Sequence, residues 1–180
     1  METQKLSFEK PFEKAHQKFE QLCERLESAL SLAMTHGQLE RYIHTEGTEV
    51  MRQFYQDHLE LRSIKEEAVE AVIGPDRVKR VSKRSQKRLL ETIFGTVVVS
   101  RYGYGKKGKA SVHPLDMALN LPKEKYSHGL GRMVAQESGK GSYDEAIEAV
   151  ERYSGGHVPK KQAEELVIRS AVDFKDLCRY

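Results

Sequence analysis

The chain has 180 residues, 38% of them hydrophobic, 32% charged and none of them tryptophan, with a net charge of +3 and a mean hydropathy of -0.64. That length holds one domain or two small ones around a lean core, and no apolar run approaches a membrane span or a secretion signal. Neither the two cysteines, Cys23 and Cys178, nor the histidines His16, His36, His44 and His58 have a metal-binding spacing, which argues against a zinc knuckle.

The distribution of charge says more than its total. Residues 77–109 hold eleven Lys/Arg against one acidic residue, a net +10, whereas residues 1–76 carry nine against fifteen and residues 110–180 ten against eleven. A basic block between acidic or balanced ones is the electrostatic footprint expected for a polyanion partner. The plainer alternative is a solvated face or a flexible basic linker.

From the N-terminus, Pro11 suits a first helical position. Phe8, Phe12, Ala15, Phe19, Leu22, Leu26, Ala29 and Ala33 then recur at alternating spacings of four and three, until Thr35 to Gly37 weaken the pattern. A polar stretch from Arg41 to Gly47 follows. A second periodic segment, Val50 to Val72, carries Val50, Phe54, Leu61, Ile64, Ala68 and Ala71, is interrupted by Asp57, and is ended by Gly74-Pro75. Residues 1–75 are therefore expected to be an assembly element: a helical hairpin, one long helix with a weak joint, or a homodimeric coiled coil.

Residues 76–118 read as a basic arm and β-hairpin. The segment from Asp76 to Arg88 fits an extended arm or a short helix. Leu89–Ile93 and Thr96–Tyr102 read as strands with Phe94-Gly95 at the turn. Gly103, Gly105 and Gly108, interleaved with Tyr104, Lys106, Lys107 and Lys109, suggest a mobile basic loop before a third strand, Ala110–His113, ended by Pro114. Arg80, Lys83, Arg84, Lys87 and Arg88 are expected to straddle a phosphate backbone, with Arg101, Lys106, Lys107 and Lys109 continuing from the strand end. Tyr102 and Tyr104 fit either a core or rim role or stacking on exposed bases. The Gly103/Gly105 pair lacks the continuation and helix of a nucleotide fingerprint.

Residues 119–180 read as three helices. Ser127 caps one through Gln136 or Glu137, and Ser142 with Glu145 forms a capping box for the next. Ser154–His157 make a turn before Pro159, which opens a helix with Ala163, Leu166, Val167, Ser170 and Phe174 on its apolar face. Such a unit suits a helix-turn-helix, with Lys160, Lys161 and Gln162 in the first turn reaching the major groove and Arg169 beyond them. The carboxylates Asp116, Glu124, Glu137, Asp144, Glu145, Asp173 and Asp176 have no spacing that nominates a catalytic cluster, and Ser127-His128 comes without the rest of a triad. The expected class is α+β, mainly helical, without cofactor or metal.

Four segments also carry a family resemblance. Leu90-Glu-Thr-Ile-Phe-Gly-Thr-Val-Val-Val-Ser-Arg-Tyr-Gly-Tyr104, His113-Pro-Leu-Asp-Met-Ala-Leu-Asn-Leu-Pro-Lys-Glu-Lys-Tyr-Ser-His-Gly-Leu130, Gly141-Ser-Tyr-Asp-Glu-Ala-Ile-Glu-Ala-Val150 and Val158-Pro-Lys-Lys-Gln-Ala-Glu-Glu-Leu-Val167 follow one another in order. Together they resemble the N-terminal region of ISKra4-type insertion-sequence transposases, over about half the chain, from Gln86 to Phe174. The resemblance implies a DNA-binding region ahead of an RNase H-like catalytic domain that lies outside these residues, so no catalytic residue is carried over. The expectation is a non-catalytic, cytoplasmic, nucleoid-associated chain that binds double-stranded DNA at transposon ends or a promoter. Its further partners would be a second copy through residues 1–75 and, for a truncated or split transposase, a separate catalytic chain. A helical interaction protein with an acidic or RNA partner is the alternative.

Overall fold

The computed structural model describes residues 10–177, with side chains as far as Arg169. Phe8 and Cys178 lie outside the described residues, and Ser170, Asp173, Phe174 and Asp176 lie beyond the described side chains. The fold is α+β: the described residues form seven helices and five strands, the latter in two small antiparallel sheets. No described helix is long and apolar enough to cross a membrane.

The N-terminal part is a pair of antiparallel helices. α1 (Glu13–Leu26) and α3 (His36–Ile64) flank a single turn, α2 (Ala29–Leu32). Their direction is fixed by cross-links whose partners run in opposite order: Lys14–Glu60 at 3.5 Å, Lys18–Glu49 at 2.9 Å and Arg25–Glu46 at 3.4 Å. Pro11 stands before α1 rather than in it, because Phe12 takes a left-handed conformation at φ 66° and starts the helix one residue later. Asp57, which breaks the apolar repeat, has a structural task. Its buried carboxylate accepts from the Ala15 N–H at 2.9 Å and from Gln53 Nε2 at 2.7 Å, so α3 satisfies a donor that the first turn of α1 leaves open.

α3 differs from expectation at both ends. It runs unbroken through Arg41–Gly47, because Gln38 accepts from the Thr35 N–H at 2.9 Å and restarts the helix there. It also ends at Ile64, not at Val72. Beyond it the chain crosses the sheet: Glu66 Oε2 accepts from the Tyr102 N–H at 2.8 Å, and the Val69 N–H donates to the Tyr104 hydroxyl at 3.0 Å. These tertiary partners replace helical ones, and Val72–Ile73 becomes strand β1, paired with β2 (Lys79–Arg80).

The main sheet has the order β3-β4-β5, from Ser82–Thr92, Gly95–Lys106 and Lys109–Val112. Ser82–Arg88 is thus strand, neither arm nor helix, and Gly103 and Gly105 belong to β4 rather than to a mobile loop. Gly103 leaves room for the Gln86 carboxamide, which a Cβ would meet at 2.8 Å. The β3–β4 turn is the two residues Ile93–Phe94, closed by Thr92 Oγ1 donating to the Gly95 carbonyl at 2.8 Å, with Gly95 at φ +111°. Pro114 ends β5 and opens the short helix α4 (Pro114–Ala118).

One face of β3–β4 builds a core from Leu90, Val97 and Val99 with Leu59 of α3, and with Tyr55, Leu119 and Leu121 packed around it. α3 also lies along the open edge of β4. Gln56 accepts from the Val98 N–H at 2.8 Å and donates to its carbonyl at 3.1 Å, while Arg52 reaches the Thr96 carbonyl at 3.4 Å. Covering an edge in this way blocks pairing with another chain.

The C-terminal helices α5 (His128–Ser138), α6 (Tyr143–Tyr153) and α7 (Lys160–Leu177) pack on each other around Leu130, Val134, Val150, Val158 and Ala163. Both expected caps are present: Ser127 Oγ accepts from the Leu130 N–H at 3.2 Å, and Ser142 and Glu145 cap reciprocally at 3.3 and 2.9 Å. Backbone bonds join this unit to the sheet. The Glu91 N–H and carbonyl pair with Lys125 and Ser127, each at 2.8 Å, and the Gly155 N–H donates to the Ile93 carbonyl at 2.8 Å. Leu130, at 0% exposure, anchors the cluster; burying a side chain of that kind stabilises by ~1.5–3 kcal/mol.

Candidate nucleic-acid interface

Burial sorts the basic residues into two groups. Lys83, Arg84 and Lys87 on β3, with Lys106, Lys107 and Lys109 at the β4–β5 hairpin, are exposed. Register brings most of them to one end of the sheet: Ser82 faces Gly105, Lys83 faces Tyr104, and Lys106 faces Lys109 across the Lys107–Gly108 turn. None of these six makes an ion pair with a carboxylate among the described residues.

Three arginines expected beside them are turned inward. Arg80, with a side chain 4% exposed, grips Asp76 through two bonds of 2.8 and 2.9 Å and donates to the Ala110 carbonyl at 2.9 Å. That contact holds the Asp76 carboxyl down at about 2. Arg88 donates to the Pro122 carbonyl at 2.9 Å and to that of Glu124, and lies 3.7 Å from Asp116. Arg101, 8% exposed, meets Asp116 at 2.7 Å, off the line of a proper hydrogen bond, so that its Nη1 and Nε are buried without an aligned acceptor. These residues hold the sheet to β5, α4 and the segment after it, and present no cation to an outside phosphate.

His113 belongs to the same inward network. Its Nε2 bonds Gln86 Oε1 at 2.6 Å, the ring donating, and Nδ1 lies 3.9 Å from Asp116. Burial, and then the charge of Arg101 with that of Arg88 behind it, holds its pKa below the ordinary histidine value, against the pull of Asp116.

The start of α7 is different again. Lys161 is exposed, but Lys160 is paired with Asp144 at 2.7 Å, which raises its pKa, and Arg169 is paired with Glu124 at 2.6 Å. Gln162 faces inward, its Oε1 buried and without a hydrogen-bond partner. The loop into α7 packs on the Ile93–Phe94 turn, where a Cβ on Gly155 would meet the Phe94 carbonyl at 2.6 Å. The two basic features are therefore at opposite ends of β3. Nine residues separate Lys83 from Thr92, about 30 Å at the rise of a strand.

Sequence reasoning passed over Ser85 and Ser100, and left Tyr102 between core and surface. Ser85 faces Tyr102, Lys87 faces Ser100, and Lys83 Nζ sits 4.8 Å above the Tyr102 ring. Counting in twos outward from Leu90 and Val97 places all of them on the face opposite the core. Tyr104 falls on the same face but is buried, its hydroxyl accepting from the Val69 N–H where that segment crosses the sheet. Among the described residues no group of three or more His, Cys, Asp or Glu could hold a metal ion. Comparison with known proteins gives no match, whether to a family model, to a curated protein or to a solved structure.

Proposed function

We propose that this chain binds duplex DNA through the basic end of its β3-β4-β5 sheet, as a non-catalytic DNA-binding protein or as the DNA-binding part of a transposase. The observation that carries the reading is the cluster of exposed, unpaired cations: Lys83, Arg84, Lys87, Lys106, Lys107 and Lys109. An unpaired surface lysine gives up no internal partner when it meets a phosphate, and each such contact releases condensed counterions. The sequence resemblance to transposase N-terminal regions supports the same partner and suggests transposon ends or a promoter as its location.

The finer reading, a helix-turn-helix with α7 as recognition helix, draws support from three packed helices and an exposed Lys161. The Lys160–Asp144 pair, the Arg169–Glu124 pair and the inward Gln162 reduce what α7 offers to Lys161. Arg80, Arg88 and Arg101 act as internal braces and are left out of the interface.

Titrating the chain with duplex DNA over a range of salt tests the proposal. Binding should weaken linearly in log-log form. Replacing Lys106, Lys107 and Lys109 with Ala should lower the slope by about 0.9 for each phosphate that is no longer neutralised. Absence of binding at low salt, or a slope untouched by the triple replacement, would refute it.

A further inference from the structure

We propose that the open face of the β3–β4 ribbon enters the major groove of the bound duplex and reads sequence there through Ser85, Lys87, Ser100 and Tyr102. This rests on the DNA-binding reading above and names its reading element.

The ribbon face opposite the core is open from Ser85 to Leu89, whereas at Tyr104 the Glu66–Val69 segment crosses the sheet and buries the ring. The core face is covered by Leu59, Leu119 and Leu121. The β4 edge is held by Gln56, Arg52 and Glu66, and the β3 edge at Glu91 by Lys125 and Ser127. On the remaining face Lys83, Ser85, Lys87 and Leu89 of β3 are all exposed, opposite Tyr104, Tyr102, Ser100 and Val98 of β4. The Lys83–Tyr102 contact of 4.8 Å places both side chains there.

The chemistry of this face matches a base-pair edge. Lysine donates, serine and tyrosine hydroxyls donate or accept, and Leu89 with Val98 offers an apolar surface to a thymine methyl. Neither strand contributes a carboxylate to this face between Lys83 and Leu89 or between Val98 and Tyr104; the nearest described one, Glu66, is held at the β4 edge by the Tyr102 N–H. Glu91, at its far end, is occupied by Thr96 at 2.7 Å and Lys125 at 3.1 Å. Size agrees as well: two strands about 5 Å apart fit a groove about 12 Å wide, and the run from Lys83 to Leu89 spans about 20 Å. Lys106, Lys107 and Lys109, at the end of the same sheet, fall where the phosphate backbone borders the groove.

Selection from a random-core duplex library with the full chain tests this. The wild type should enrich a motif. The Ser85→Ala/Ser100→Ala double variant keeps every charge and alters only one exposed and one half-buried hydroxyl. With Lys87→Ala and Tyr102→Phe as separate variants, it should reduce the preference for that motif over a scrambled duplex by about tenfold or more. Affinity for the scrambled duplex should fall by no more than about threefold in the serine and tyrosine variants, whose cations all remain, and by more in Lys87→Ala, which also removes a phosphate contact. Circular dichroism checks that each variant is folded. Duplex binding without any enriched motif would overturn the inference while leaving the proposed function standing. So would a motif kept by all these variants but abolished by Lys161→Ala, or tighter binding to single strands than to the enriched duplex. No duplex binding at any salt would overturn the proposed function itself.

Discussion

At the tip of the β4–β5 hairpin, Lys106, Lys107 and Lys109 stand in solvent with no carboxylate paired to them, whereas at the start of α7 Lys160 is held by Asp144 at 2.7 Å. Both regions look basic in the linear chain. The difference comes from what folding brings near. Acidic residues favour the first turn of a helix, where they meet its positive end, and α6 accordingly begins with Asp144 and Glu145. That same placement puts Asp144 against Lys160. The sheet end has no helix start beside it and its register is lysine against lysine. Charge counted along a sequence thus measures cations present, and only the fold shows which are uncommitted.

Four substitutions put this contrast, and the docking that separates the two regions, to the test. The greatest change is expected from Leu130→Ala, which empties the centre of the three-helix cluster and should cost ~2–5 kcal/mol in urea denaturation; a loss within ~0.5 kcal/mol would mean that the helices do not share that core. Gly156→Ala comes next. Its Cβ would meet the Thr92 carbonyl and Leu130 Cδ1 at 2.7 Å each, so the helical unit and the sheet turn must separate, at ~1–3 kcal/mol. An unchanged urea midpoint would show that the two regions are not docked there.

A smaller effect should appear with pH. Because His113 is held below its ordinary pKa of 6.5, the unfolded chain takes up this proton first as pH falls. The stabilising contribution is therefore complete above 6.5 and is lost as pH drops below it towards the folded-state value. The decline in urea midpoint between about pH 7.5 and about pH 5.5 should be shallower in His113→Gln; an equal decline would assign it elsewhere. The smallest effect tests the contrast itself. Asp144→Asn frees Lys160 by breaking an exposed pair and should change stability by no more than ~1 kcal/mol. Since Lys160 lies near the far end of the ribbon, the salt slope of duplex binding should not move. A rise of about 0.9 would make α7 part of the interface.

What could be read from the sequence was what is local. The Ser127 and Ser142 caps and the presence of a tight turn, which falls at Ile93–Phe94 and not at Phe94-Gly95, each depend on neighbours a few residues away. The orientation of the arginines was not legible, because, beyond the local Asp76 and Val78 that Arg80 also grips, their acceptors Ala110, Pro122 and Glu124 lie 30 and more residues downstream. The end of α3 was hidden for the same reason: Glu66 and Val69 bond to Tyr102 and Tyr104, 36 and 35 residues ahead. Asp57 looked like a flaw in a repeat until its partner, the Ala15 N–H 42 residues away, was in view.

Gln56 carries a consequence for substitution. Its side chain engages both polar groups of the Val98 peptide, accepting at 2.8 Å and donating at 3.1 Å. A carboxamide of that reach answers one peptide group with its mirror set of donor and acceptor. Glutamate would satisfy the N–H and repel the carbonyl, lysine would do the reverse, and asparagine would fall one methylene short. Position 56 therefore behaves as a two-pronged lock for which the genetic code supplies a single key.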